Sequence, residues 1–155
     1  MNRGGVATRM LAVGEKAPDF EAPNQDGAPF RLSSLRGSPV VLYFYPAADT
    51  PGCTIESKGF QEHLAEFAKG GVRVVGVSVD DCPAQKAFAQ KYGLAFPLIA
   101  DSKRAVGERY GVLGPRRTAR RVTFLIDRDG KIAEVIDTSS PGPHVERARA
   151  RFLNA

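Results

Sequence analysis

Six consecutive apolar, strand-prone residues, Val40-Val41-Leu42-Tyr43-Phe44-Tyr45, constrain this chain more than any other feature. A run without polar alternation suits a strand covered on both faces, and such strands belong to sheets sandwiched between helices. It is far too short to span a bilayer, which takes about 20 residues. A Pro/Gly loop follows from Pro46 to Gly52. The spacing then predicts a helix over Cys53 to Lys69, with Ile55, Phe60, Leu64 and Phe67 on one face and Gly70-Gly71 as its stop. Val72 to Val79 reads as a second buried strand. Strand, helix and strand in this order make a right-handed parallel βαβ unit.

The remaining elements extend that unit. Residues 1–13 read as a flexible arm ahead of a single domain over 14–155. Asp19-Phe20-Glu21 and Phe30-Arg31-Leu32, joined through Asn24-Gln25-Asp26-Gly27, read as a short N-terminal β-hairpin. Asp80 and Asp81 are cap candidates for a helix that passes Pro83 and ends near Tyr92. Phe96 to Ala100 is a short strand, and Ser102 or Lys103 to Tyr110 a short helix. Val122 to Ile126 and Lys131 to Ile136 form an antiparallel pair around Asp127–Gly130, and a last helix runs from about Pro143 to Phe152. The fold class is α/β, with a central mixed β-sheet flanked by helices. Ligands in such sheets gather beyond the carboxyl ends of the parallel strands. Cys53 and Cys82 both follow those ends.

Composition narrows the function. At 155 residues the chain is one domain with a core of its own. Lys and Arg number 22 against 17 Asp and Glu, a net charge of +5. Much of the excess lies in Arg116, Arg117, Arg120 and Arg121 and in Arg147, Arg149 and Arg151, which read as a solvated basic surface rather than a nucleic-acid site. Two cysteines are too few for a disulfide scaffold, they form no CxxC, and with two histidines they suggest no zinc cluster. No apolar run follows Arg3 and Arg9, so no secretory leader is expected, and the protein is expected in the cytoplasm with reduced thiols. His63 and His144 read as surface residues.

The segment Pro46-Ala47-Ala48-Asp49-Thr50-Pro51-Gly52-Cys53 carries the chemistry. It puts a thiol at a helix N-terminus, where unpaired N–H groups and the helix dipole favour thiolate. Thr50, one turn earlier, can place a hydroxyl beside the sulfur, and Pro46 and Pro51 stiffen and partly dry the loop. Arg121 reaches the same sheet end if Val122–Ile126 runs antiparallel to Val40–Tyr45. Its charge would then stabilise a thiolate and a departing oxygen, and Glu56 could hold it through a bidentate pair. On these residues alone, a solvated Arg121 and a dipole-compensating Glu56 remain open.

These residues resemble a known family. Pro46-x-x-x-Thr50-x-x-Cys53 is similar to the signature of peroxiredoxins. The run Tyr43-Phe44-Tyr45-Pro46 through Asp49-Thr50-Pro51-Gly52-Cys53-Thr54-x-Glu56 resembles the subgroup called bacterioferritin comigratory protein, or PrxQ. So do Arg121-x-Thr123-Phe124-Leu125-Ile126-Asp127-x-Asp129-Gly130, Gly14-x-x-Ala17-Pro18-Asp19-Phe20 and Phe96-Pro97-Leu98-x-x-Asp101. The resemblance implies a thioredoxin-like fold and a thiol peroxidase with no cofactor. Its substrates would be hydrogen peroxide and organic hydroperoxides, and its reductant thioredoxin or a glutaredoxin-like dithiol. Members are often monomers. Cys53 would be the peroxidatic cysteine, with Thr50 and the Cys53 N–H holding the peroxide, Arg121 stabilising charge, Glu56 holding Arg121 and Pro46 shielding the site. The chain departs from the family at the resolving cysteine: Lys58 and Ala89 occupy the two familiar positions. Cys82 is the expected resolver, and a disulfide with Cys53 then requires unwinding at Cys53, at Asp81-Cys82-Pro83, or at both. The alternatives are a one-cysteine cycle and a non-enzymatic basic binding module.

Overall fold

The structure is a computed structural model and describes residues 9–153. Its centre is a five-stranded sheet in the order β5-β4-β3-β6-β7. The strands are β3 (Val40–Phe44), β4 (Arg73–Ser78), β5 (Leu98–Ala100), β6 (Val122–Ile126) and β7 (Ile132–Asp137). β3, β4 and β5 run parallel, β6 runs antiparallel to β3 and β7 antiparallel to β6, so the sheet is mixed as expected. A separate two-stranded antiparallel hairpin, β1 (Glu21–Pro23) and β2 (Pro29–Arg31), turns on Asn24, whose carboxamide oxygen accepts from Asp26 and Ala28.

The apolar run explains the layering. Alternate residues of a strand face opposite sides, and β3 fills both. Val40, Leu42 and Phe44 enter one core with Tyr110 and Phe124. Val41, Tyr43 and Tyr45 enter the other with Phe60, Phe67 and Phe88. The second core is covered by α1 (Pro51–Glu62), α2 (Leu64–Lys69), α3 (Cys82–Tyr92) and α5 (Gly142–Phe152), while α4 (Ala105–Tyr110) packs on the first. Gly76 on β4 makes room for this arrangement: a Cβ there would lie 2.9 Å from the Tyr43 ring.

Three expectations change. The helix foreseen over 53–69 is two helices broken at His63, whose backbone leaves helical geometry. Ile55 does not face inward but is 61% exposed. The buried stripe of α1 is Cys53, Glu56, Ser57 and Phe60, spaced at three, four and seven residues. Ile55 lies about 140° round the helix from Phe60 at 100° per residue. The stripe was hidden because two of its members are polar. Within the arm foreseen over 1–13, Met10 and Leu11 pack on the first core and the Leu11 N–H bonds the Tyr110 carbonyl at 3.3 Å. Residues 1–8 lie outside the described residues. Among the described residues no helix is long and apolar enough to cross a membrane.

Candidate active site

The carboxyl ends of β3 and β4 lead into α1 and α3, so the two cysteines enter at one sheet edge. Thr50 is the N-cap of α1, which makes Pro51 its first residue and Cys53 its third. The first helical bond runs from the Thr54 N–H to the Thr50 carbonyl at 2.8 Å, so the N–H groups of Gly52 and Cys53 precede it. The Thr50 hydroxyl does not cap the helix. It donates to the Ala47 carbonyl at 2.7 Å. Its proton is committed there, which leaves it an acceptor toward any ligand. Cys53 is buried, 1% exposed, in the core beside Tyr43 and Tyr45.

β6 pairs antiparallel with β3, Phe44 opposite Val122, so Arg121 emerges at the end of β3 where Pro46 begins the loop. Its guanidinium is fixed from three sides. Nε donates to the Ser139 carbonyl at 2.8 Å, and Nη1 lies 2.7 Å from Glu56 Oε1 and 3.6 Å from Cys53 Sγ. Burial opposes the Arg121 charge, but Glu56 and Cys53 outweigh it and push its ionisation up. Gly52 permits the approach, since a Cβ there would lie 2.6 Å from Nη2. Pro46, Arg120, Arg121, Asp137, Thr138 and Ser139 line an open depression over this group.

Glu56 is fully buried. Burial pushes its carboxyl up to about 8, against the opposing pull of Arg121. Oε1 meets Arg121, and Oε2 has no hydrogen-bond partner.

His144, expected at the surface, is fully buried. The first turn of α5 faces β6, and the ring is satisfied by Thr123 Oγ1 at 2.7 Å and the Thr138 carbonyl at 2.8 Å. Burial lowers its ionisation. Thr123, a polar residue inside an apolar strand, was the available signal for it. The Ser139 carbonyl and the clearance at Gly52 carry no residue-type signature. His63 is half-buried at the α1–α2 break and bonds Glu66 at 2.7 Å.

Cys82 is half-buried at the first position of α3, whose N-cap Asp81 accepts from the Ala84 N–H at 3.0 Å. Both cysteines are free thiols. The two loops touch: Asp80 Oδ2 accepts from the Ala48 N–H at 2.8 Å. Asp49, at φ 58°, accepts from Tyr92 at 2.6 Å and Lys91 at 3.0 Å. Ala89 is buried in the same core as Cys53, and Lys58 is exposed. The basic clusters are largely met by acids: Arg120 by Asp137, Arg147 and Arg151 by Glu134, Arg149 by Glu66.

A buried sulfur beside a fixed cation, free N–H groups and a hydroxyl acceptor suits nucleophilic attack by sulfur with charge developing on oxygen. Two predictions follow from the packing. Gly52→Ala displaces Arg121, and the rate of consumption of hydrogen peroxide, the substrate that the resemblance implies, should fall roughly 100-fold, the scale of an ångström misplacement. A rate within about twofold of the parent would contradict the close approach. Glu56 has a second consequence. A carboxyl harder to ionise in the fold contributes its full stability below its ordinary 4.5 and loses it as pH rises to about 8. Glu56→Gln should flatten the decline of Tm across that window, and parallel Tm–pH curves for the two proteins would show otherwise.

Comparison with known proteins shows the family of this chain. The AhpC/TSA family model matches residues 13–135. Peroxiredoxin Bcp of Escherichia coli is 39% identical over 141 residues, covering 86% of this chain and 90% of that protein. The crystal structure of peroxidoxin BcpB from Mycobacterium tuberculosis superposes with a TM-score of 0.85 at 39% identity, covering 92% of this chain and 98% of that one. A Xanthomonas campestris bacterioferritin comigratory protein, described for alkyl peroxide reduction, superposes with a TM-score of 0.84 at 27% identity, covering 92% and 98%. The fold is therefore thioredoxin-like, as the resemblance implied. The chain belongs to the AhpC/TSA family and, within it, to the peroxiredoxins of the Bcp/PrxQ kind, which are thiol peroxidases.

Proposed function

We propose that Cys53 is the peroxidatic cysteine, that Cys82 resolves it, and that the resulting disulfide is recycled by thioredoxin or a glutaredoxin-like dithiol. The observation that carries this reading is the guanidinium of Arg121, 3.6 Å from Cys53 Sγ and held by Glu56 at 2.7 Å. The Cys53 thiolate attacks one peroxide oxygen, the O–O bond breaks, and the sulfur becomes a sulfenic acid. The departing oxygen takes a proton and leaves as water or an alcohol. Arg121 and the Cys53 N–H donate toward the oxygens, and Thr50 accepts the peroxide hydrogen. Pro46 and the surrounding core keep water from the sulfur. The open depression lined by Pro46, Arg121 and Ser139 gives hydrogen peroxide or an alkyl hydroperoxide its approach to the guanidinium.

In the second step the Cys82 thiolate attacks the sulfenic sulfur, releases water and forms the disulfide. Two features support Cys82. It stands at the first position of α3, and its loop already touches that of Cys53 through Asp80 and Ala48. α1 also starts without a side-chain cap, so its first turn is less firmly held. Unwinding there brings the sulfurs into bonding range. In this reading the enzyme works as a monomer in the cytoplasm, where its thiols stay reduced between turnovers.

The test is an intact mass under non-reducing conditions after one equivalent of hydrogen peroxide. Loss of two hydrogens, abolished by Cys82→Ser, is expected. Addition of oxygen to Cys53 instead would reject Cys82 as resolver, and two unchanged thiols would reject Cys53 as the peroxidatic residue.

A further inference from the structure

The loop that delivers Thr50 and Cys53 is tied to its surroundings by few bonds. Pro46 and Pro51 lack an N–H, Ala47, Ala48 and Gly52 carry no polar side chain, and the Thr50 hydroxyl bonds within the loop to the Ala47 carbonyl. Among the described residues, the hydrogen bonds that tie residues 46–50 to elements other than α1 are the Ala48 N–H to Asp80 and those received by the Asp49 carboxylate. Asp49 stands at φ 58°, a left-handed conformation that costs an L residue energy and that aspartate and asparagine tolerate best after glycine. A loop residue in that state relaxes unless its surroundings hold it there.

Tyr92, the last residue of α3, is placed to hold it. Its hydroxyl donates to Asp49 Oδ1 at 2.6 Å, and Lys91 Nζ lies 3.0 Å from Oδ2. The Lys91 contact is an exposed ion pair and contributes little by itself. The Tyr92 ring is fixed. It meets Phe88 edge-on with centroids 5.6 Å apart, and the ammonium groups of Lys58 and Lys91 lie 5.7 and 5.3 Å from its centre. Lys58 belongs to α1, so one side chain touches both helices that carry the cysteines and, through its hydroxyl, the loop between β3 and α1. The residue after Asp49 is Thr50, whose carbonyl accepts the first hydrogen bond of α1 from the Thr54 N–H at 2.8 Å.

We propose that Tyr92 is a positioning residue for Cys53: its bond to Asp49 latches the loop so that Thr50 and the first turn of α1 stay in the form that receives peroxide. The proposal rests on Cys53 being the reacting thiol. With the latch closed, Thr50 Oγ1 and the Cys53 N–H keep fixed places around a residue that is 1% exposed. With it open, Asp49 leaves the left-handed region, Thr50 turns with it and the first helical bond breaks. The sulfur then becomes accessible to a second thiol, which the closed loop excludes. Tyr92 thereby acts on the two steps in opposite directions. It favours attack on peroxide and restrains the opening that follows.

The test is amide hydrogen exchange of the reduced protein, paired with its rapid-mixing rate toward hydrogen peroxide. Tyr92→Phe removes one O–H and leaves the ring. Exchange at the Thr54 N–H should quicken roughly tenfold, the worth of one hydrogen bond to a charged acceptor at a partly exposed site. Exchange at Phe60, further along the same helix, should stay as it was. The peroxide rate should fall about threefold as Thr50 loses its place. Asp49→Gly adopts the left-handed backbone without strain but has no carboxylate, and in that background Tyr92→Phe should change neither reading. Unchanged exchange in Tyr92→Phe, an equal rise along all of α1, or the same added effect in Asp49→Gly overturns the latch. Faster exchange with an unaltered peroxide rate overturns the positioning of Cys53. Hydrogen exchange needs no peroxide. These outcomes are thus distinct from a Cys53→Ser variant that still consumes peroxide, which would overturn the assignment of Cys53 itself.

Discussion

The site depends on a cation that is not free to move. Arg121 bonds a backbone carbonyl with one nitrogen and the buried Glu56 carboxyl group with another, and only then faces the sulfur of Cys53. A mobile surface arginine interacts weakly in water and is screened by salt. A guanidinium whose side chain is only 10% exposed acts in a lower dielectric and needs no reorganisation when charge develops on a peroxide oxygen. The burial that makes Arg121 effective also makes Glu56 hard to ionise. The two effects are one arrangement seen from both partners.

The fold exists to hold those parts in register. Tyr43 on β3 bonds Ser57 of α1 at 2.7 Å, and Tyr45, just past β3, bonds Gln85 of α3 at 2.6 Å. The first bond fixes the polar stripe of α1, and with it Glu56, against the sheet, and the second ties α3 to the same strand end. The antiparallel pairing of β6 with β3 delivers Arg121 from the far side. α5 closes the back of the site with His144. Gly59 lets that helix sit close to α1, since a Cβ there would meet Val145 at 3.0 Å.

How much of this was legible follows from which interactions leave a mark on residue type. The strand Val40–Tyr45, the Pro/Gly loop and the strand Val122–Ile126 are written in hydrophobic patterning, and an antiparallel placement of the last lets Cys53, Glu56 and Arg121 meet, but the pattern alone left a solvated Arg121 and a dipole-compensating Glu56 open. The inward face of α1 was misread because Glu56 and Ser57 occupy it, and a pattern search for apolar residues selects Ile55 instead. His144 was misplaced for a related reason: a buried polar residue looks like a surface one until its partners are known. The Ser139 carbonyl is invisible in sequence because every residue has one. Cys82 is the opposite case. Its place near the start of that helix was foreseen, yet the resolving role proposed for it depends on unwinding that a folded reduced state does not contain.

The central claim is that the geometry of the guanidinium, and not its charge alone, makes Cys53 a nucleophile toward peroxide. Arg121→Lys separates the two, because an ammonium keeps the charge but cannot span the Ser139 carbonyl, Glu56 and the sulfur at once. The direct measurement is the rapid-mixing rate of the reduced enzyme with hydrogen peroxide. The account predicts a fall of roughly 100-fold for Arg121→Lys. A rate within about threefold of the parent would mean that a nearby positive charge suffices, and the account of the site would be wrong.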